Sequence, residues 1–166
     1  VAGVEHSDAD LYKDRALIIT PMASSGAPQV LLAKQIWKSL GSYITELTPA
    51  AHDAAFAAVS HLPHVLSYAI IRGIFQQYNG PDLIALGGPG FRDFSRIAAS
   101  DPVIWRDILT TNREQVLFQI SHFKEALNDF EKAIRANEPQ ALEDMIRQAS
   151  DLRFNWRMGA NKHSEE

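Results

Sequence analysis

The chain contains no cysteine. Disulfides and thiolate metal sites are thereby excluded, and a reducing, cytoplasmic setting is expected. There is no excess of basic residues: 16 Lys and Arg stand against 20 Asp and Glu, a net charge of −4. A nucleic-acid surface needs a basic stripe, so no nucleic acid is expected as a partner. No apolar run approaches the roughly 18 residues of a membrane span, and no signal peptide is visible at the start. No membrane partner is expected either. Internal repeats and low-complexity tracts are missing as well. What remains is ordinary: 46% hydrophobic and 22% charged residues over 166 positions. That suits one domain, or one domain with a piece of another.

Residues 1–14 are polar and without period, which reads as loop. Ala16-Leu17-Ile18-Ile19-Thr20 is a short apolar run stopped by Pro21, as expected for a strand covered on both faces. Val30, Ala33, Ile36, Trp37 and Leu40 then recur at helical spacing and stop at Gly41, a C-terminal cap. Ser42 to Leu47 reads as a second strand. Strand, helix and strand form the crossover unit of a parallel sheet. Two strands alone do not make a stable parallel sheet, and no further convincing strand follows. Residues 1–47 are therefore expected to be the tail of a larger α/β domain, with the remainder upstream of Val1.

From Thr48 onward the chain reads as helix. Thr48-Pro49 is a cap followed by proline at the first helical position. Ala50 to about Tyr78 is apolar nearly all round and is expected to run through the middle of its domain. Pro63 removes an N–H and leaves the Val59 carbonyl without its helical partner, so a kink is expected there. Asn79-Gly80-Pro81 ends this segment, and a shorter helix runs from Pro81 to the turn Gly87-Gly88-Pro89-Gly90. Asp101-Pro102 is another cap-and-proline start, from which one long helix to Ala136 is expected. Along it Val116, Ile120, Phe123, Leu127, Phe130 and Ile134 alternate four and three apart. This heptad-like seam suits internal packing or a dimer interface. Leu142, Met145, Ala149, Leu152 and Trp156 mark a last amphipathic helix, and Ala160 to Glu166 are expected to fray. The expected fold class is mainly α: a helical domain over 48–166 preceded by a β-α-β tail over 1–47.

Two constellations carry chemistry. His61 and His64 stand three apart on one helical face, with Pro63 between them. They read as structural histidines, as half of a metal site with no third ligand in view, or as imidazoles contacting the oxygens of a substrate. Arg92, Asp93 and Arg96 lie beside the glycine run. Arginine grips carboxylates through two parallel bonds, and Asp93, three residues earlier, is placed to hold the Arg96 guanidinium. The plainer reading is a surface salt bridge. Gly87-Gly88-Pro89-Gly90 follows no strand and lacks the spacing of a dinucleotide fingerprint. Trp105, with Ile104 and Ile108, reads as core.

In order, His52-Asp53, Ser60-His61-Leu62-Pro63-His64, Gly90 to Ala98 and Pro102 to Ile108 resemble the C-terminal half of the TyrA family. These are the prephenate and arogenate dehydrogenases of tyrosine biosynthesis. Ser95 stands where threonine is common, and Pro89 interrupts the glycine run. Val1 to Glu5 resembles the end of a family segment whose catalytic histidine would sit two positions before Val1. The resemblance implies a helical dimerisation and substrate domain after the end of a Rossmann domain. The reaction it implies is oxidative decarboxylation with NAD or NADP. A hydride leaves the hydroxyl-bearing ring carbon, a histidine takes the hydroxyl proton, and the ring carboxylate departs as CO2. No catalytic residue would then belong to this chain, and no metal, while the resemblance leaves its cofactor-binding residues unknown. By position, Arg96 would clamp a substrate carboxylate, and His61 and His64 would contact its polar groups. Asp93 and Glu5 would form an ionic network around Arg96. Gly90 would lie in the turn where backbone approaches the substrate, and Trp105 would reach the pocket of the partner subunit. Prephenate or arogenate would be the small-molecule partner, with tyrosine a further candidate, and the helical domain would form a homodimer. Alone, the chain is expected to be inactive and to bind no cofactor. The rival readings are a module that binds an aromatic acid without chemistry, and a structural dimerisation module.

Overall fold

A computed structural model of the protein describes Glu5 and residues 7–156. Val1 to Val4 and Ala160 to Glu166, for which the sequence carries expectations, lie outside the described residues. Contacts divide the chain into two compact units. One holds Val1–His52 and Ala133–Glu166, the other Asp53–Lys132.

The first unit begins with the expected crossover. Strand β1 (Ala16–Ile19), helix α1 (Ala27–Ser39) and strand β2 (Tyr43–Glu46) follow in order. The strands pair in parallel, Ala16 opposite Tyr43 and Ile19 opposite Glu46. Gly41 ends α1 with φ 87°, a conformation that L side chains resist. Gly41 N–H donates to Lys38 O at 3.0 Å and Ser42 N–H to Trp37 O at 3.1 Å. This double bond pattern closes the helix and aims the chain into β2. The Tyr12 ring meets Trp37 edge-on at 4.9 Å, and the buried Ser42 hydroxyl donates to Tyr12 O at 3.0 Å. Lys34 of α1 pairs with Glu46 of β2.

The second unit is helical. Helix α2 (Pro49–Phe56) opens with Ala51 N–H donating to the Thr48 hydroxyl at 3.1 Å. It continues through a π-helical segment (Ala57–His61) into α3 (Leu62–Phe75). Just before Pro63, where a kink is expected, the helix winds wider, and Leu62 N–H reaches back five residues to Ala57 O. In that register the carbonyl opposite Pro63 is Ala58 instead of Val59, so the helix absorbs the missing N–H by changing its winding.

Helices α4 (Gly80–Ala85), α5 (Pro89–Ser95), a 3-10 turn (Arg96–Ala99), α6 (Pro102–Thr111) and α7 (Arg113–Ala136) follow. Two expectations change here. The glycine turn is shorter than expected, because Gly88 caps α5 and Pro89 starts it, which places Gly90 in the first helical turn. The long helix from Pro102 is broken at Asn112, with φ −98° and ψ 34°. Thr110, Thr111 and Asn112 are poor helix formers in a row, and the asparagine amide is drawn elsewhere. Helix α8 (Pro139–Asn155), in the first unit, is the expected amphipathic helix.

The segment expected to be central is only partly covered. Ala57 and Ser67 are fully buried, whereas Val59 is 73% and Phe75 62% exposed. By length and composition the 27-residue helix Pro49–Phe75 is apolar enough to cross a membrane, contrary to the sequence expectation. Asp53, His61 and His64 of this helix all engage α6 or its end.

Gly80 makes the closest backbone approach. A Cβ there would stand 2.4 Å from Ile74 O and 2.6 Å from Phe75 O. Gly80→Ala is therefore expected to cost about 1–3 kcal/mol by forcing α4 off the end of α3. Gly73 is the control: a Cβ there meets nothing within 4 Å. Gly73→Ala is expected to hold or raise the melting temperature by its helix propensity. Calorimetric melts of both variants check this, and equal melting temperatures would refute it.

Candidate functional site

The site is built on one face of the central helix. His61, His64 and Tyr68 are three and seven positions apart, so their side chains lie along a single stripe. Trp105 comes to that stripe from α6. Asp101 fixes the start of α6 by accepting from Val103 N–H at 2.8 Å and Ile104 N–H at 3.0 Å. Trp105 sits in the next turn and stacks on His64, with ring centroids 3.5 Å apart and planes 20° apart. It meets His61 edge-on at 6.1 Å and Tyr68 at 6.4 Å.

Beside this cluster lies an open groove of about 500 Å³, lined by Tyr68, Ala98, Ser100, Trp105 and Arg106. The Tyr68 hydroxyl is buried and has no hydrogen-bond partner among the described residues. Such a group costs stability unless something outside the chain satisfies it. Its aromatic wall and nearby hydroxyls suit a flat ring with polar substituents.

Hydrogen bonds hold both histidine rings. His64 Nδ1 lies 2.9 Å from Ser60 O, one turn back on its own helix. The Asn112 side-chain nitrogen lies 2.8 Å from Asp53 O and 3.2 Å from His61 Nδ1. Asn112 and Tyr68 were not legible as site residues. The signal for Tyr68 was its helical phase with the histidines, and for Asn112 its place after two threonines.

The cationic part differs from expectation. Asp93 pairs with its neighbour Arg92, at 3.1 Å to both Nε and Nη2, and does not reach Arg96. Both partners are exposed, 76% and 70%, so this is a surface pair worth little. Arg96 opens the 3-10 turn, is exposed, and makes no ion pair among the described residues. Glu5 is exposed, belongs to the first unit, and is likewise unpaired among the described residues. Within the second unit, then, no ion pair joins Asp93 to Arg96 among the described residues. Gly90 faces open space, since a Cβ there meets nothing within 4 Å. Trp105, which the resemblance directs toward a partner subunit, stacks on the histidine of its own chain.

Among the described residues, no three His, Cys, Asp or Glu side chains come together to hold a metal. The loop after β1 does not carry the glycine-rich spacing of a dinucleotide fingerprint either. The loop from β1 to α1 has one glycine, Gly26, and the Gln29 amide fills the space beside it.

Comparison with known proteins agrees with this architecture. A family model described as the prephenate dehydrogenase dimerization domain matches residues 48–148. The chain is 28% identical to cyclohexadienyl dehydrogenase of Zymomonas mobilis, over 93% of this chain and 55% of that protein. Among solved structures it is similar to prephenate dehydrogenase of A. aeolicus, in complex with hydroxyphenyl propionate and NAD+. The TM-score is 0.85 at 33% identity, over 92% of this chain and 54% of the other. Arogenate dehydrogenase of Synechocystis follows, with a TM-score of 0.77 at 26% identity, over 87% and 53%. The chain spans about half the length of each of these relatives. With its helical segment matched over residues 48–148, the chain belongs to the prephenate dehydrogenase dimerization-domain family.

Proposed function

We propose that this chain is the substrate-binding and dimerising portion of an NAD(P)-dependent prephenate or arogenate dehydrogenase. In this reading residues 1–47 end a Rossmann-type domain and residues 48–166 form the helical domain. The observation that carries it is the cluster of His61, His64, Tyr68 and Trp105 beside an open groove. Trp105 and Tyr68 give a ring a wall to lie against. His61 and His64 bring imidazole nitrogens to its polar groups. Arg96, with no ion pair among the described residues, supplies a guanidinium for a carboxylate. Hydride transfer and proton removal fall to a nicotinamide and a histidine outside this chain. The relative bound to hydroxyphenyl propionate and NAD+ supports both the ring ligand and NAD for the whole protein.

Dimerisation belongs to the same proposal. Helix α7 leaves Leu127 54% and Ile134 64% exposed on the seam that buries Val116. A second copy would cover them.

The test separates the dehydrogenase from a binding module. The protein that contains this chain is assayed with prephenate and arogenate against NAD+ and NADP+, and the 166-residue chain is assayed in parallel. Reduced nicotinamide is expected from the former and none from the latter, with hydroxyphenyl propionate bound by both. Turnover by the isolated chain would sink the proposal. Binding without turnover in the whole protein would favour the non-catalytic module.

A further inference from the structure

Arg106 follows Trp105 on α6, and both side chains line the groove. Its Nε and Nη2 donate to Asp107 Oδ1 at 2.8 and 2.7 Å, and the two side chains are 64% and 61% exposed. An exposed pair of this kind is worth little, so the guanidinium is readily shared with an arriving anion. Among the described residues that line the groove, Arg106 is the one with a charged side chain, and none is a carboxylate. Ala98, Pro102 and Leu109 add apolar wall, against which a charge is screened less than in open water. Arg96 opens the 3-10 turn whose Ala98 lines the same groove. The two elements that border the groove on this side therefore each carry a guanidinium.

We propose that Arg106 is a specificity-determining residue, which makes the groove favour a ring acid whose side chain bears no ammonium group. Of the two proposed substrates that is prephenate, a keto acid, over arogenate, an amino acid. This rests on the reading that the substrate ring lies against Trp105 and Tyr68. The side chain of the ligand then ends at the cationic border of the groove. A carboxylate is drawn in there, and an ammonium group is repelled. A carboxylate in the wall would reverse the preference by pairing with the ammonium group, and among the described lining residues there is none.

Two probes isolate this effect. Para-hydroxyphenyl propionate and tyrosine share ring and carboxylate and differ by the α-ammonium group. In calorimetric titrations the wild type is expected to bind the former at least about tenfold more tightly. Arg106→Gln removes the charge and keeps a polar side chain. It is expected to weaken para-hydroxyphenyl propionate about tenfold while tyrosine holds or gains, so that the ratio approaches one. Arg106→Lys keeps the charge and is expected to keep the preference. A merely structural role would lower both affinities together and leave their ratio unchanged. A wild type that binds tyrosine as tightly as the propionate, or more tightly, overturns the proposal. So does an Arg106→Gln protein that keeps the wild-type ratio. Thermal melts report the fold of each variant. Should Arg106→Gln not fold, Asp107→Asn decides: it releases the guanidinium and is expected to widen the preference, and an unchanged ratio counts against Arg106. If the wild type binds neither probe, the substrate reading itself fails. If it binds both and the ratio ignores Arg106, that reading stands and only the role of Arg106 falls.

Discussion

Arg96→Ala is expected to weaken binding of hydroxyphenyl propionate by about two to three orders of magnitude. A guanidinium gripping a carboxylate makes two charge-assisted bonds, and alanine removes both. The stability of the protein is expected to hold within about 0.5 kcal/mol, because Arg96 is exposed and has no ion pair among the described residues to orphan. That separation makes the variant informative: a loss of binding cannot be a loss of fold. Arg96→Lys keeps the charge but not the fork, so an intermediate loss is expected. Calorimetric titration of the three proteins, beside their thermal melts, checks the order. Equal affinity in all three would remove Arg96 from the site.

Leu127→Asp is expected to turn a dimer into a monomer. Leu127 lies on the same stripe of α7 as Val116, which is 5% exposed, yet Leu127 itself is 54% exposed. Along the stripe Val116 is buried, Ile120, Phe123 and Phe130 are half-buried, and Leu127 and Ile134 are exposed. In a symmetric dimer each substitution acts on both sides of the interface. Each Leu lost from a buried contact is worth about 1.5–3 kcal/mol, and two such losses weaken the dimer by about a hundredfold to ten-thousandfold. A buried carboxylate adds to this. Sedimentation at several concentrations reads the change. A substitution on the exposed polar face, Lys124→Asp, is the control. If Leu127→Asp leaves the dimer intact, the interface lies elsewhere.

The parts of the fold that were legible in the sequence are those fixed by neighbours in the chain. Thr48-Pro49, Asp101-Pro102 and Gly41 each set a helix end through their own backbone and side-chain geometry. The crossover at residues 16–46 followed from two short apolar runs around an amphipathic helix. The features that were missed depend on distant partners. The break at Asn112 pairs with Asp53 and His61, more than fifty residues away in sequence. The incomplete burial of the helix at Val59 and Phe75 depends on what packs against each face, which an all-round apolar sequence does not specify. For the site, the histidine face was legible by spacing, whereas Trp105 read as core and entered only through the family resemblance. The Asp93 partner was not, because adjacent Arg92 and helically spaced Arg96 compete for one carboxylate and sequence does not rank them.

The π turn before Pro63 has a consequence for alignment. Asp53 and His61 are eight residues apart, yet one asparagine amide touches both. In a straight α-helix eight residues would leave them about 80° out of phase around the axis. The wide turn takes up one residue without advancing the helix, so the effective separation is seven, about 20° out of phase. Between Ala57 and His61, the number of residues therefore acts as a phase shifter that brings the opening of the helix into line with its histidines. Side chains along that stretch can change while the alignment persists, whereas a change in their number would rotate His61 away from Asn112.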